Sequence, residues 1–357
     1  MSTIPRPAVT GRRGFLLGGA VLGGGLLASA CTSNSSSDDD KTTAAPVAAA
    51  GGDNDKPGTK VVIGFSAPAA DHGWLAAITN NAKAQAGAYS DVELKTVAAS
   101  NDAAAQRAAL ATLISQKPNV IVMLPHDGKE LNATGLEAMK AGIPVINLDR
   151  AFPSRAAYRV QIKGDNYGMG IAAGTYIGEQ LKAKGVANPI IGEIAGIDSL
   201  PLTQARSKGF ADALASYGFA VGPRQAADFT AQGGQRVAAN LLQAAPKLDA
   251  LWNHDDDQGI GVLAAINQAG RNEFFMVGGA GSANAMRDIK ADNTVLKATV
   301  TYSPTMASSA IALARLVAQN KGMEDLVEKE VPTSITLNSA TITKENVDTY
   351  LPLGFES

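Results

Sequence analysis

A regular exchange between two kinds of segment constrains this chain more than any other feature. Short runs rich in Val, Ile and Leu stand at 60–66 (KVVIGFS), 119–124 (NVIVML), 143–149 (IPVINLD), 189–196 (PIIGEIAG), 248–253 (LDALWN), 273–279 (EFFMVGG) and 295–301 (VLKATVT). Between them lie alanine-rich stretches with helical spacing, at 74–88, 102–116, 129–141, 166–183, 203–217, 231–244 and 256–269. Strands alternating with helices predict an α/β architecture of parallel sheets covered by helices on both faces. The runs are apolar throughout, not at every second residue, as strands buried on both faces require. From residue 60 the body is about 300 residues, long for one core and sufficient for two lobes. In open α/β sheets ligands bind beyond the carboxyl ends of the strands. The polar residues at those ends are therefore the candidate site.

The front of the chain reads as an address. Arg12 and Arg13 precede an uncharged, glycine-rich run of about 17 residues that ends at Cys31, shorter than the roughly 20 residues that span a bilayer. It fits the apolar core of an export signal. The arginine pair resembles a twin-arginine leader, and Ala28, Ser29 and Ala30 resemble a lipoprotein cleavage box with Ala28 where leucine is usual. An uncleaved anchor is the alternative. Cys31 is the only cysteine, so no intrachain disulfide can form, and its position argues for lipidation. Residues 1–31 are thus expected to be a signal peptide. Residues 32–59, rich in Ser, Asp, Ala and Gly, are expected to be a flexible tether. The body is expected outside the cytoplasmic membrane, anchored on its outer face or in the periplasm.

Composition excludes some classes. A formal charge of −2 with no basic stripe gives no footprint for nucleic acid. The chain has no G-x-x-x-x-G-K-[ST], no G-x-G-x-x-G after the first strand, no G-x-S-x-G and no H-E-x-x-H, so no nucleotide cofactor or catalytic motif is supported. His72, His126 and His254 are not at metal-ligand spacing, and neither metal nor cofactor is expected.

The strand ends carry the candidates. Asp71, His72 and Trp74 follow the first strand; Trp74 suits either the core or a pocket wall, and His72 either a ligand contact or a helix cap. His126 and Asp127 suit the cleft or the start of a helix. Asp149 and Arg150 form the most informative pair: a carboxylate accepts hydroxyl hydrogens and a guanidinium donates a planar fork to the same diol. That combination suits a polyhydroxylated neutral ligand. Gln204 and Arg206 open one later helix, Asp228 and Phe229 precede another, and Tyr302 ends the strand at 295–301. The run HDDD at 254–257 looks like a metal cluster. Consecutive residues at a helix start point in different directions, however. Asp255 is expected to face the cleft, while Asp256 and Asp257 suit a helix N-terminus.

In order along the chain, IGFS…GW, AGIPVINLDR, KGDNYGMG, IAG…QARSKGF, ADFTAQGG, NHDDDQGIGVLAAINQAG and LKATVTYSP make residues 60–345 resemble the periplasmic sugar-binding proteins of the ribose/galactose type, the substrate-binding components of ABC importers. The resemblance implies the type I periplasmic binding protein fold, two similar doubly wound lobes joined by a three-stranded hinge. The lobes would be 60–162 with 303–331 and 163–302 with 332–357, crossing near 162–165, 301–303 and 330–334. It implies a ligand held by Asp149 and Arg150, stacked on Trp74 and Phe229, with Asp255 where relatives have asparagine. Gln204 falls where many relatives hold a sugar-binding arginine, with Arg206 two residues on. Ala280 replaces a hydroxyl-binding aspartate, and Tyr302 falls where ribose binders have glutamine. These departures point away from ribose and toward another pentose, a hexose, a polyol or a cyclitol. The implied function is a monomeric, lipid-anchored receptor that does no chemistry and delivers a monosaccharide or sugar alcohol to ABC permease subunits. The alternative is a receptor that presents a sugar or autoinducer to a membrane signalling partner.

Overall fold

The first strand, β1 (Val61–Ser66), is followed by α1 (Gly73–Gly87), β2 (Val92–Thr96), α2 (Ala103–Ser115), β3 (Val120–Met123), α3 (Gly128–Lys140), β4 (Val145–Leu148) and β5 (Val160–Gly164). The computed structural model describes residues 54–98, 102–323 and 330–357; the leader, Cys31 and most of the expected tether lie outside them. The chain continues through α4 (Asn166–Ala183), β6 (Ile191–Ala195), α5 (Pro201–Ser216), β7 (Arg224–Ala226), α6 (Ala231–Ala244), β8 (Ala250–Asn253), α7 (Asp256–Gln268), β9 (Phe275–Ala280), α8 (Ala283–Ala291) and β10 (Leu296–Thr301). It ends with α9 (Met306–Ala318), β11 (Ser334–Leu337), β12 (Thr341–Thr343) and α10 (Val347–Tyr350).

Two six-stranded sheets result, ordered β11-β5-β4-β3-β1-β2 and β12-β10-β9-β8-β6-β7. All pairings are parallel except β10 with β12. Strands β3, β4, β6, β8 and β9 are buried along their whole length, as their unbroken apolar runs require. The edge strands β2 (VELKT) and β7 (RQA) carry charged and polar residues and stay half-exposed. Their polarity hides them from a reading based on apolar runs.

The chain passes between the sheets three times: between β5 and α4, between β10 and α9, and between β11 and β12. The first lies at residues 164–166 and the second at residues 301–306. The third comes later than 330–334, because β11 pairs with β5 from Ser334 to Leu337 and so belongs to the first sheet. The segment after it packs on the second lobe: β12 pairs with β10, and Phe355 bridges to Ser282.

Helix α9 returns to the first lobe and is fastened there by a buried ion pair. Arg315 donates from Nε to both oxygens of Asp91, at 2.9 and 3.0 Å, and from an outer nitrogen at 2.7 Å. The same guanidinium reaches the carbonyls of Asn54 and Lys56, so the expected tether is already tied to the lobe from Asn54 onward. Both side chains are almost fully buried. Removing one partner of such a pair strands the other charge, which costs about 3–5 kcal/mol. Arg315→Met should therefore lower the free energy of unfolding measured in urea by about 3–5 kcal/mol, and the urea midpoint with it. The hydrogen bonds from Arg315, chiefly, hold the Asp91 carboxyl well below its usual range. A carboxyl depressed in the fold contributes stability above its unfolded value of about 3.9 and loses it as pH falls below that. Acid unfolding of the wild type should thus carry a component that Arg315→Met lacks.

Candidate functional site

The carboxyl ends of the two sheets face one another across a small cavity. His72, Trp74, Asp149 and Arg150 line it from the first lobe. Leu202, Arg206, Phe229 and Asp255 line it from the second, and Tyr302 stands at the second crossing.

Asp149 and Arg150 are placed by the turn after β4. Buried Asn147 holds that turn: its Nδ2 donates to the Arg150 carbonyl at 3.0 Å, and its Oδ1 accepts from the Phe152 amide and Gln161 Nε2, each at 3.0 Å. Asp149 adopts a left-handed backbone with φ 61, which aspartate tolerates. Phe229 adopts φ 69, where a bulky side chain is strained by about 1–3 kcal/mol. Its amide is held by Gln258 Oε1 at 3.0 Å. Arg150 donates to the carbonyl of His126, while its Nε is buried without a partner. Burial pushes the Arg150 guanidinium down from its usual range, and Asp149 opposes that shift.

Arg206 is brought in by α5, which packs tightly on α4. A Cβ on Gly170 would stand 2.0 Å from the Arg206 carbonyl, so only glycine permits this approach. Arg206 Nε donates to Asn166 Oδ1 at 2.9 Å, and its NH1 donates to the His254 carbonyl at 3.1 Å. Its guanidinium lies 4.6 Å from the Tyr302 ring centroid and 5.9 Å from that of Phe229. Asn166 Nδ2 donates to the Tyr302 hydroxyl at 3.0 Å, and that hydroxyl donates to Asp149 Oδ1. Trp74 donates from Nε1 to the Tyr302 carbonyl at 2.8 Å, with the two rings 5.8 Å apart. His72 faces Phe229 across the lobes at 6.4 Å and bonds Asp71 through Nδ1. Burial works against protonation of His72, but the bond from Asp71 and the charges of Asp255 and Asp257 outweigh it and raise its pKa.

The three aspartates after His254 diverge. Asp255 Oδ1 caps its own helix through the amides of Asp257 and Gln258, at 2.9 and 3.1 Å. Burial, then repulsion from Asp257, pushes its carboxyl up to about 6, against the pull of His72 and Arg206. Asp256 turns the other way and accepts from the amides of Gly279, Gly281 and Ser282 and from Thr299. Asp257 Oδ2 accepts from the Trp74 amide at 2.8 Å. Among the described residues no three His, Cys, Asp or Glu side chains converge as a metal site would require.

Of the strand-end candidates, His72, Trp74, Asp149, Arg150, Arg206, Phe229, Asp255 and Tyr302 meet at this cavity. Gln204 does not: it is exposed, and its Nε2 donates to the Asp198 carbonyl at 3.0 Å. On a helix, positions four apart share a face and positions two apart do not. Leu202 and Arg206 therefore face the cavity together while Gln204 faces away, and Arg206 supplies a guanidinium on this face. Leu202, Asn147 and Asn166 were not singled out; the i, i+4 spacing from Arg206 was the available signal for Leu202. Asp127 caps α3 and Asp228 bonds Thr230 rather than lining the cavity.

The periplasmic binding protein domain family matches residues 63–322. The ribose import binding protein RbsB of Bacillus subtilis (strain 168) is 30% identical over 210 residues, 59% of this chain and 66% of that protein's length. A solved ABC transporter solute binding protein from Mycobacterium smegmatis with bound glycerol superposes with a TM-score of 0.73 at 26% identity, covering 84% of this chain and 99% of that one. A second Mycobacterium smegmatis structure, in complex with β-D-fucofuranose, gives a TM-score of 0.72 at 25% identity, covering 82% and 94%. With its cleft built from the carboxyl edges of two doubly wound sheets and most of its length matched, the chain belongs to the periplasmic binding protein domain family.

Proposed function

We propose that this protein is the extracytoplasmic solute-binding component of an ABC importer and that it captures a neutral monosaccharide or sugar alcohol between its lobes. The observation that carries this reading is the chemistry of the cavity wall: two carboxylates, Asp149 and Asp255, and two guanidinium groups, Arg150 and Arg206, set among Trp74, Phe229 and Tyr302. Carboxylates accept hydroxyl hydrogens, guanidinium groups donate to hydroxyl oxygens, and the aromatic faces cover the C–H surfaces of a ring. The balance of charge suits a ligand that has many hydroxyls and no charge of its own. The ribose, fucofuranose and glycerol named for its relatives support the same class. The site residues have binding roles and no catalytic ones. Cys31 is the lipid attachment point, the residues after it are the tether, and a monomer presents the closed lobes to the permease.

A ligand that binds only the folded state raises the melting temperature by mass action, by about 2.7 kcal/mol of stability at a hundredfold excess over Kd. Screening the full chain against pentoses, hexoses, sugar alcohols and inositols should give a carbohydrate hit that EDTA leaves unchanged. Asp149→Ala should weaken that hit by about 10- to 100-fold, the worth of a charged hydrogen bond. A protein that ignores every neutral carbohydrate, or binds equally well without Asp149, is not the receptor proposed.

Binding should also depend on pH through Asp255. With Oδ1 committed to its helix, Oδ2 is the oxygen left for a ligand hydroxyl, and it accepts best when ionised. A ligand bonded there favours the ionised form and releases a proton on binding. Affinity should therefore be full well above pH 6 and fall as pH drops through about 6. The folding sign is the opposite: a carboxyl raised above its unfolded value of about 3.9 favours the fold at low pH and loses that contribution as pH rises through about 6. Titration calorimetry between pH 5 and pH 8 should show this dependence in the wild type and a flatter one in Asp255→Asn. An identical profile in both would remove Asp255 from the binding step.

A further inference from the structure

Helix α1 starts in the first lobe without a cap of its own. Its N-cap residue, His72, makes no side-chain bond to the helix, and no acidic residue stands in its first turn. In contrast, α2, α3, α7 and α8 are each capped by their own Asp102, Asp127, Asp255 or Ser282. The acceptor that reaches α1 comes from the other lobe: Asp257, at the start of α7, takes the Trp74 amide at 2.8 Å. The contact is enclosed. Asp257 is 3% exposed, and its second oxygen is buried with no partner. A Cβ on Gly73 would stand 2.7 Å from that second oxygen and 2.6 Å from the Glu356 carbonyl, so glycine at this position lets the lobes meet here.

We propose that Asp257 is a positioning residue for ligand capture: the second lobe supplies the missing cap of α1 only when the lobes are closed, and that bond holds Trp74 against the ligand. This rests on the solute-binding reading of the cleft. With the lobes apart, both the Trp74 amide and the Asp257 carboxylate are hydrated, so the bond contributes nothing to the open state. With the lobes together, a carboxylate sits at the positive end of a helix, where a negative charge is favourable. Trp74 is then held at two points, its backbone amide by Asp257 and its indole Nε1 by the Tyr302 carbonyl. An interaction present in one state only shifts the equilibrium between states by its whole free energy. The bond therefore selects closure without touching the ligand.

The test compares association and dissociation rates in the full chain for wild type, Asp257→Ala, Asp257→Asn and Asp149→Ala. The probe is whichever of D-ribose, L-arabinose, glycerol and myo-inositol raises the wild-type melting temperature most. Asp257→Ala should dissociate about tenfold faster, with its association rate within about twofold, because a closed-state contact acts on the exit of ligand. Its ligand-free melting temperature should match the wild type's. Asp257→Asn, whose carboxamide oxygen can still accept from Trp74, should recover most of the loss. A ligand-free melting temperature lowered in Asp257→Ala with dissociation unchanged would mean a merely structural role and would overturn the proposal. So would equal dissociation rates in all Asp257 variants. A wild type that binds none of the probes, nor any other pentose, hexose, sugar alcohol or inositol, would overturn the solute-binding reading itself, and this inference with it.

Discussion

One chain of hydrogen bonds sets the floor of the cleft. Arg206 donates to Asn166, Asn166 donates to the Tyr302 hydroxyl, and Tyr302 donates to Asp149. Every donor points the same way, from a cation in the second lobe to a carboxylate in the first. Such a chain polarises each of its members in a low-dielectric interior. Its two middle residues stand at chain crossings, Asn166 just after the first and Tyr302 just after β10, so the floor of the site and the hinge are built from the same segments. Burial, reinforced by the charge of Asp149, keeps the Tyr302 proton in place far above the ordinary phenol range. The proton is therefore fixed, and so is the direction of every bond in the chain. Asp149 Oδ2 takes no part in this chain and is the acceptor left for a hydroxyl of the proposed ligand.

Behind Arg206 the second lobe carries a second polar group that faces the core. His254 is fully buried and shares a proton bond with Glu193 at 2.9 Å. Glu193 also accepts from Ser207 and lies 3.4 Å from Arg224, which in turn holds Asp198. Burial pushes His254 down to about 4 against the pull of Glu193, and the nearby arginines Arg206 and Arg224 add to the drop. The imidazole is thus neutral at pH 7. His254 serves the site through its backbone carbonyl alone, which anchors Arg206 at 3.1 Å. The first residue of the HDDD run belongs to the core.

The fold was legible because buried parallel strands write themselves as continuous apolar runs, and the site was legible because such sheets bind at their carboxyl ends. Asp149, Arg150, Trp74, Phe229 and Asp255 stand at or just after strand ends, which is what brings them to the candidate cavity. Three features are not legible in the sequence, each for its own physical reason. β2 and β7 are edge strands whose polar residues have solvent on one side, so they lack the apolar signature. β11 pairs with β5 through a segment of Ser, Ile, Thr and Leu that reads as ordinary loop, and only the ladder assigns it to the first lobe. Gln204 and Arg206 differ by two residues, which is nothing along the chain and the width of a helix in space. Positions on an isolated strand end can be read from sequence; which side of a helix faces the cleft depends on the packing of α5 against α4.

The three consecutive aspartates show how little residue type decides at this scale. Successive residues at the start of a helix are rotated by about 100° from one another, so three identical side chains leave in three directions. Asp255 points along the sheet edge into the cavity and still caps its own helix. Asp256 points back into the loop after β9, where three amides and a hydroxyl surround it, although burial pushes its carboxyl up to about 8. Asp257 points across the cleft to the Trp74 amide. No point in space receives all three, and the run does not make a metal centre. Each carboxylate answers a different set of unpaired amides: those of its own helix, those of the neighbouring loop and that of the opposite lobe. The cavity wall thus sets acceptors, Asp149 and Asp255, beside donors, Arg150 and Arg206, which is the pairing that the polyhydroxylated ligand proposed above would use.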